Sequence, residues 1–235
     1  MAGLAALTLL DIAASTARAD EWSGAYIGIH GGYRWSDARL STGAYTLSNP
    51  LDLDPPMAAR SETYDLGSGL LGIQGGYNFK LPGNWLIGIE ADASAGNGDD
   101  SKSRTILVDG LAYELVSRAE LNWQATLRAR LGFTSGPWLI YGTAGVAWAD
   151  FDWSESFSRA GSFNVSVAKS ELMTGWAIGG GAEYALTSHW ILRGQYLFED
   201  FGSVKVPLAA ALPAGTTGNI DLDAHKLRLG VNYRF

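Results

Sequence analysis

The chain has 235 residues with 17 Lys and Arg against 24 Asp and Glu, a formal charge of −7, and no basic cluster to neutralise phosphates, which argues against nucleic acid as a partner. It contains 0 Cys, which excludes disulfides and thiolate metal sites. With 30 Gly, 9 Trp, 10 Tyr and 8 Phe it favours strands and tight turns, and no apolar run is long enough for a transmembrane helix.

The apolar stretch Ala2 to Leu10 leads to Ala17-Arg18-Ala19, an A-x-A site, so residues 1–19 read as a secretory leader and 20–235 as one mature β-domain. The first strand follows, with Ala25, Ile27, Ile29, Gly31, Tyr33 and Trp35 on one face and Tyr26, His30 and Arg34 on the other. A long segment with Pro50, Pro55 and Pro56 is expected to be irregular. Strand two places Leu71, Ile73, Tyr77 and Phe79 opposite Gln74 and Asn78, and the turn Leu81 to Asn84 feeds strand three, where Trp85, Ile87, Ile89 and Ala91 oppose Glu90 and Asp92. A second long segment, Gly96 to about Leu115, leads to the clearest alternation: Ala119, Leu121, Trp123, Ala125, Leu127, Ala129, Leu131 and Phe133 against Glu120, Asn122, Gln124, Thr126, Arg128 and Arg130. Period two over this length is a strand with two unlike faces.

Strand five carries Ile140, Ala144, Val146 and Trp148, and a third long segment runs to about Leu172. Strand six offers Trp176, Ile178 and Tyr184 against Glu183; strand seven sets Trp190, Leu192, Tyr196 and Phe198 against Arg193, Gln195 and Glu199. After a fourth long segment the chain ends on Leu227, Leu229, Val231, Tyr233 and Phe235, alternating with Lys226, Arg228, Asn232 and Arg234. Eight strands joined by alternating short and long connections predict an all-β, antiparallel, up-and-down transmembrane barrel with short periplasmic turns and long extracellular loops. Three short turns are each followed by Trp and two aliphatics, at Trp85, Trp138 and Trp190, which with Tyr233 and Phe235 predict a periplasmic aromatic girdle.

A soluble eight-stranded barrel would show the same alternation with its apolar face inward. Its interior holds side chains or one small ligand, and the apolar face here carries too many Trp, Tyr and Phe to fit. The apolar face is therefore expected to face lipid.

The stretches Trp22 to Tyr33, Gly72-Ile-Gln-Gly-Gly-Tyr-Asn78 and Val231-Asn-Tyr-Arg-Phe235 resemble the opening, second and closing strands of alphaproteobacterial outer-membrane immunogenic or porin-family surface proteins, within the OmpA-like eight-stranded barrels. The resemblance implies an abundant surface protein of a Gram-negative outer membrane. It would support envelope integrity, contact lipid and lipopolysaccharide, be recognised by the barrel-assembly machinery through its last strand, and be seen by host or phage. It implies no catalytic site and no cofactor, and no residue pattern here carries over the haem binding described for some relatives.

On the lumen face the alternation places Arg34, Arg128, Arg130, Arg193, Lys226 and Arg228 with Glu90, Asp92, Glu120, Glu183 and Glu199. Near balance of sign favours a mutually paired plug; an ion-selective pore would show one dominant sign. The small-solute channel is the alternative function. A lipid-modifying hydrolase is the weaker reading, since no Ser, His and acid recur at one height. His30, His189 and His225 are expected in three separate places, which is no metal site.

Overall fold

A computed structural model of the chain describes residues 22–47, 56–108, 110–209, 211–212 and 216–235, so the expected leader lies outside the described residues. The strands in order are β1 (Gly24–Thr42), β2 (Tyr45–Leu47), β3 (Pro56–Met57), β4 (Arg60–Asp65), β5 (Ser68–Lys80), β6 (Trp85–Val108), β7 (Leu111–Ser135), β8 (Trp138–Arg159), β9 (Phe163–Ala185), β10 (Trp190–Pro207), β11 (Ala211–Leu212) and β12 (Thr217–Arg234). β1, β5, β6, β7, β8, β9, β10 and β12 pair antiparallel in that ring order, and β12 closes on β1 from Tyr26 opposite Arg234 to Ser41 opposite Asn219. Closure satisfies every edge that would otherwise face lipid.

The alternation sorts as the volume argument requires. Ile29, Leu71, Ile73, Ile140, Leu227 and Leu229 are exposed on the outer wall, while Arg34, Glu90, Arg128 and Arg193 are buried inside. At the periplasmic end Trp85 packs on Phe133, Trp138 on Tyr184, and Trp190 on Tyr233, with Phe235 against Tyr233 at 5.4 Å. A second aromatic belt, with Trp35 on Tyr33, Trp176 on Phe198 and His225 on Phe198, marks the outer end. From Phe133 to Trp123 on β7 is ten residues, which at about 3.4 Å rise and roughly 40° tilt spans on the order of 25 Å, the height of an apolar band.

The three Trp-led triplets now divide by direction. Trp85, Trp138 and Trp190 join the girdle and Ile87, Ile140 and Leu192 face lipid, but the middle residues, Leu86, Leu139 and Ile191, turn inward. With Trp22, Tyr141 and Ala185 they form an apolar layer across the periplasmic end of the lumen.

Beyond the outer belt the structure departs from the expected irregular segments, because most of the long connections are strand. Gly96 to Leu115 is a hairpin of β6 and β7 whose ladder ends at Val108 opposite Leu111, and 149–172 belongs to β8 and β9 apart from the turn at 160–162. These stretches do not read as lipid-spanning strands because the polarity of the two faces is exchanged. In lipid the apolar side chains point out; above it Ala119, Leu121, Phe151, Trp153, Ile220 and Leu222 point in and form one core. On β6 and β7 the exchange coincides with bulges, where the register shifts between Ala95 and Gly98 and between Leu121 and Gln124; on β10 it coincides with one between Asp200 and Ser203, with Gly202 at φ 64.

The ladder between β5 and β6 ends at Leu71 opposite Ala95, and that between β9 and β10 ends at Asp200 opposite Trp176, among the described residues. Above these points the ring divides into two four-stranded sheets, β4–β1–β12–β10 and β6–β7–β8–β9, with the apolar core between them. Fully burying a side chain such as Phe151 contributes about 1.5–3 kcal/mol, so the extramembrane head is held by its own core. Polar links join the sheets: Trp153 Nε1 donates to the Pro207 carbonyl at 3.1 Å, Tyr64 hydroxyl meets Ser117 at 2.6 Å, and Arg60 meets Glu155 at 2.6 Å. Tyr64 also packs edge-on against Trp153 at 5.5 Å.

Candidate functional site: the lumen charge network

Inward positions recur every second residue, so Glu90 and Asp92 on β6 stack vertically, as do Gln124, Thr126, Arg128 and Arg130 on β7. Register sets Glu90 directly opposite Arg128 and Asp92 opposite Thr126. Arg128 accordingly reaches both acids, Glu90 Oε1 at 2.5 Å and Asp92 Oδ2 at 2.5 Å. The hydroxyl of Thr126 also donates to Asp92 at 2.5 Å.

Glu90 is the centre of the network. Arg193, from the far side of the ring, grips it with Nη1 on Oε2 at 2.5 Å and Nη2 on Oε1 at 2.6 Å. Arg130 Nη1 approaches Oε2 at 3.4 Å and the Tyr26 hydroxyl donates to the same oxygen at 2.5 Å. Arg130 also bonds Glu183 at 2.7 Å and lies over the Tyr141 ring at 4.0 Å. One layer up, Asp92 takes Arg228 Nη1 at 2.7 Å, and Arg228 Nη2 also donates to Gln195. Bidentate guanidinium–carboxylate pairs of this kind are short and fix orientation as well as charge. Side chains on a wall this crowded need glycine opposite them: a Cβ on Gly76 would lie 2.5 Å from the Tyr26 hydroxyl.

Of the expected network, Arg34, Glu90, Asp92, Arg128, Arg130, Glu183, Arg193, Glu199, Lys226 and Arg228 are all inside and buried. Glu120 is not. The β7 bulge lies between it and the lumen positions, and it bonds Arg118 Nε at 2.8 Å on the outer surface of the head. Glu183 lies opposite Arg193 in the register, but the guanidinium is drawn to Glu90 and its Nε stays 3.9 Å from Glu183. Tyr26, Gln124, Thr126, Gln195 and Tyr141 are network members that charge counting passes over; their inward phase on the same strands was the available signal. Lys226 bonds Glu199 at 2.8 Å.

The three histidines occupy three environments. His30 meets Gln74 at 2.9 Å inside the lumen, His189 stacks on Tyr233 beside a periplasmic turn, and His225 meets the Tyr196 hydroxyl at 2.7 Å on the outer belt. In the head, burial pushes the Glu155 carboxyl above its usual range in spite of Arg60 beside it, and burial raises the Tyr64 phenol as well. The lumen carboxylates Glu90, Asp92, Glu183 and Glu199 are engaged by cations, which suits a structural network better than proton transfer.

The family described as outer membrane protein beta-barrel domain matches residues 2–235. The chain is similar to the 31 kDa outer-membrane immunogenic protein of Brucella melitensis biotype 1, 29% identical over 222 residues that cover 91% of this chain and 84% of the relative. It is similar also to the 25 kDa outer-membrane immunogenic protein of Brucella abortus biovar 1, 27% identical over 214 residues, covering 91% and 79%. Among solved structures, the outer membrane protein OprG of Pseudomonas aeruginosa matches 91% of this chain and 97% of its own with a TM-score of 0.50 at 17% identity, a likeness of fold.

Proposed function

The chain belongs to the outer-membrane β-barrel domain family, and from that premise we propose that it is a closed surface barrel whose work is structural and adhesive. It is a Gram-negative outer-membrane protein. The barrel supports the envelope by its lipid-facing wall, and the head is what lipopolysaccharide, host or phage surfaces meet. The observation that carries the closed reading is the layering of the lumen. The network centred on Glu90 lies between two apolar plugs: Trp22, Leu86, Leu139, Tyr141, Ala185 and Ile191 below, and the core around Leu121, Phe151 and Trp153 above.

A conducting pore needs a continuous wet path with sites weak enough to release the ion. Here a solute would have to displace Arg193 from both oxygens of Glu90 and then pass an apolar layer. The test is single-channel recording of the purified protein in planar bilayers. Rare, small steps are expected; large, steady currents would overturn the closed reading in favour of the small-solute channel.

A further inference from the structure

The plug is not neutral. In the network around Glu90 and Asp92 six buried cations, Arg34, Arg128, Arg130, Arg193, Lys226 and Arg228, face four buried carboxylates, Glu90, Asp92, Glu183 and Glu199, and Arg234 is a further buried cation at the periplasmic end, against the Ser188 carbonyl and the Trp22 ring. In the lower layers of this network each guanidinium has a carboxylate partner. The upper layer differs. Arg34 on β1 and Lys226 on β12 are directly opposite each other in the register, both inward and both buried. Lys226 has Glu199, whereas Arg34 donates to neutral acceptors: Gln124 Oε1 at 3.2 Å, Ser68 Oγ at 3.0 Å and the Leu121 carbonyl at 3.0 Å.

Like charges directly opposite on paired strands repel, and a buried charge without a counter-charge is costly. Two cations thus share one carboxylate in this layer, where Arg34 Nε and Gln124 Nε2 are buried donors, and Glu199 Oε2 a buried acceptor, without a hydrogen-bond partner among the described residues. We propose that this layer binds a small monovalent anion, of which chloride is the available kind, against Arg34 in the upper lumen. The anion supplies the second negative charge that one carboxylate between two cations leaves missing, and it takes hydrogen bonds from the unused donors Arg34 Nε and Gln124 Nε2. The inference rests on the closed lumen, since an open one would leave Arg34 to bulk water.

The test is thermal unfolding of the purified full chain in detergent, followed by heat-modifiable mobility, with chloride titrated against gluconate at constant ionic strength so that screening is equal. A ligand that binds only the folded state raises the midpoint saturably with its concentration. The midpoint should climb by a few degrees and level off. Arg34→Met should lose the chloride dependence, and so should Lys226→Met, which leaves Glu199 for Arg34. Equal midpoints in chloride and gluconate would overturn the proposal, as would a dependence that survives in whichever variant folds. Steady conductance of the wild type would count against the closed barrel whatever the chloride titration gave, so the two failures are distinguishable.

Discussion

Arg193 and Glu90 hold each other across the full diameter of the barrel: β10 and β6 are separated by three strands either way round the ring, yet Nη1 and Nη2 of Arg193 meet Oε2 and Oε1 of Glu90 at 2.5 and 2.6 Å. A pair that spans the lumen is a crossbar, and Arg128 and Arg130 brace it from β7. Removing one partner of a buried pair costs about 3–5 kcal/mol in soluble proteins. Glu90→Ala removes a carboxylate shared by three guanidiniums and leaves Arg193 with only Glu183 at 3.9 Å, so its unfolding midpoint should fall well below the wild type and its bilayer conductance should rise. An unchanged midpoint with unchanged conductance would deny the crossbar its role.

How much of this was legible in the sequence depends on where each residue sits relative to the outer belt. Within the membrane, period two assigned Glu90, Asp92, Arg128 and Arg130 to the lumen and Trp85, Trp138 and Trp190 to one height, because lipid outside and a narrow lumen inside impose one rule on every strand. Above the belt the solvent changes and the rule inverts, so Ala119 and Leu121 continued the apolar face on paper while the β7 bulge turned them inward and Glu120 outward. The crossbar partner was hidden for a different reason. Register gives Arg193 to Glu183, and only the length of the arginine and the diameter of an eight-stranded ring let it reach Glu90.

Four aspartates stand in a cross-strand row on the outer surface just above the belt: Asp200 opposite Asp223, Asp223 opposite Asp37, and Asp37 opposite Asp65. Arg39 bonds the middle two, at 2.5 Å to Asp223 and 3.2 Å to Asp37, and leaves the outer pair to repel their neighbours. Like charges directly opposite cost about 0.2–1 kcal/mol. Asp65→Asn or Asp200→Asn should therefore raise the unfolding midpoint slightly at low salt and lose the gain at high salt; lowered midpoints at low salt would refute the repulsion.

Glu155 supplies a pH dependence confined to the head. Burial raises its carboxyl above the ordinary 4.5 despite Arg60, so the folded head holds the proton more tightly than the unfolded chain. That contribution is fully present below pH about 4.5 and is lost as pH rises through the folded value. Hydrogen exchange at 151–158 and 204–208 should accordingly quicken, relative to Glu155→Gln, as pH climbs from acid toward neutrality, after correction for intrinsic exchange. A wild type and variant that track each other over this range would exclude Glu155 as the cause.

Topology places the hairpin tip at 160–162 outside the cell and the turn after Lys80 in the periplasm. Because the long connections are mostly paired strand, an added protease should find few sites. Trypsin on intact cells should cut after Arg159, beside the tip, and spare Lys80; mass spectrometry of the fragments reads the difference. Cleavage after Lys80 alone would invert the barrel.

Phe235 is three-quarters exposed, at 75%, on the lipid side of the last girdle, and its amide bonds the Ala25 carbonyl at 3.1 Å beside the strand junction that closes the ring. An exposed aromatic at the end of β12 contributes little to a core, since its ring meets Tyr233 at 5.4 Å and otherwise faces lipid. We propose that its value is greater before closure, when β12 would present an unpaired edge and an alternating apolar face to whatever inserts it. Deleting Phe235 should thus lower the amount of heat-modifiable barrel in the outer membrane several-fold, while the fraction that does assemble unfolds within a few degrees of the wild type. A folded yield equal to the wild type would remove the assembly role from this residue, and a collapse of thermal stability in the assembled fraction would make its role one of packing.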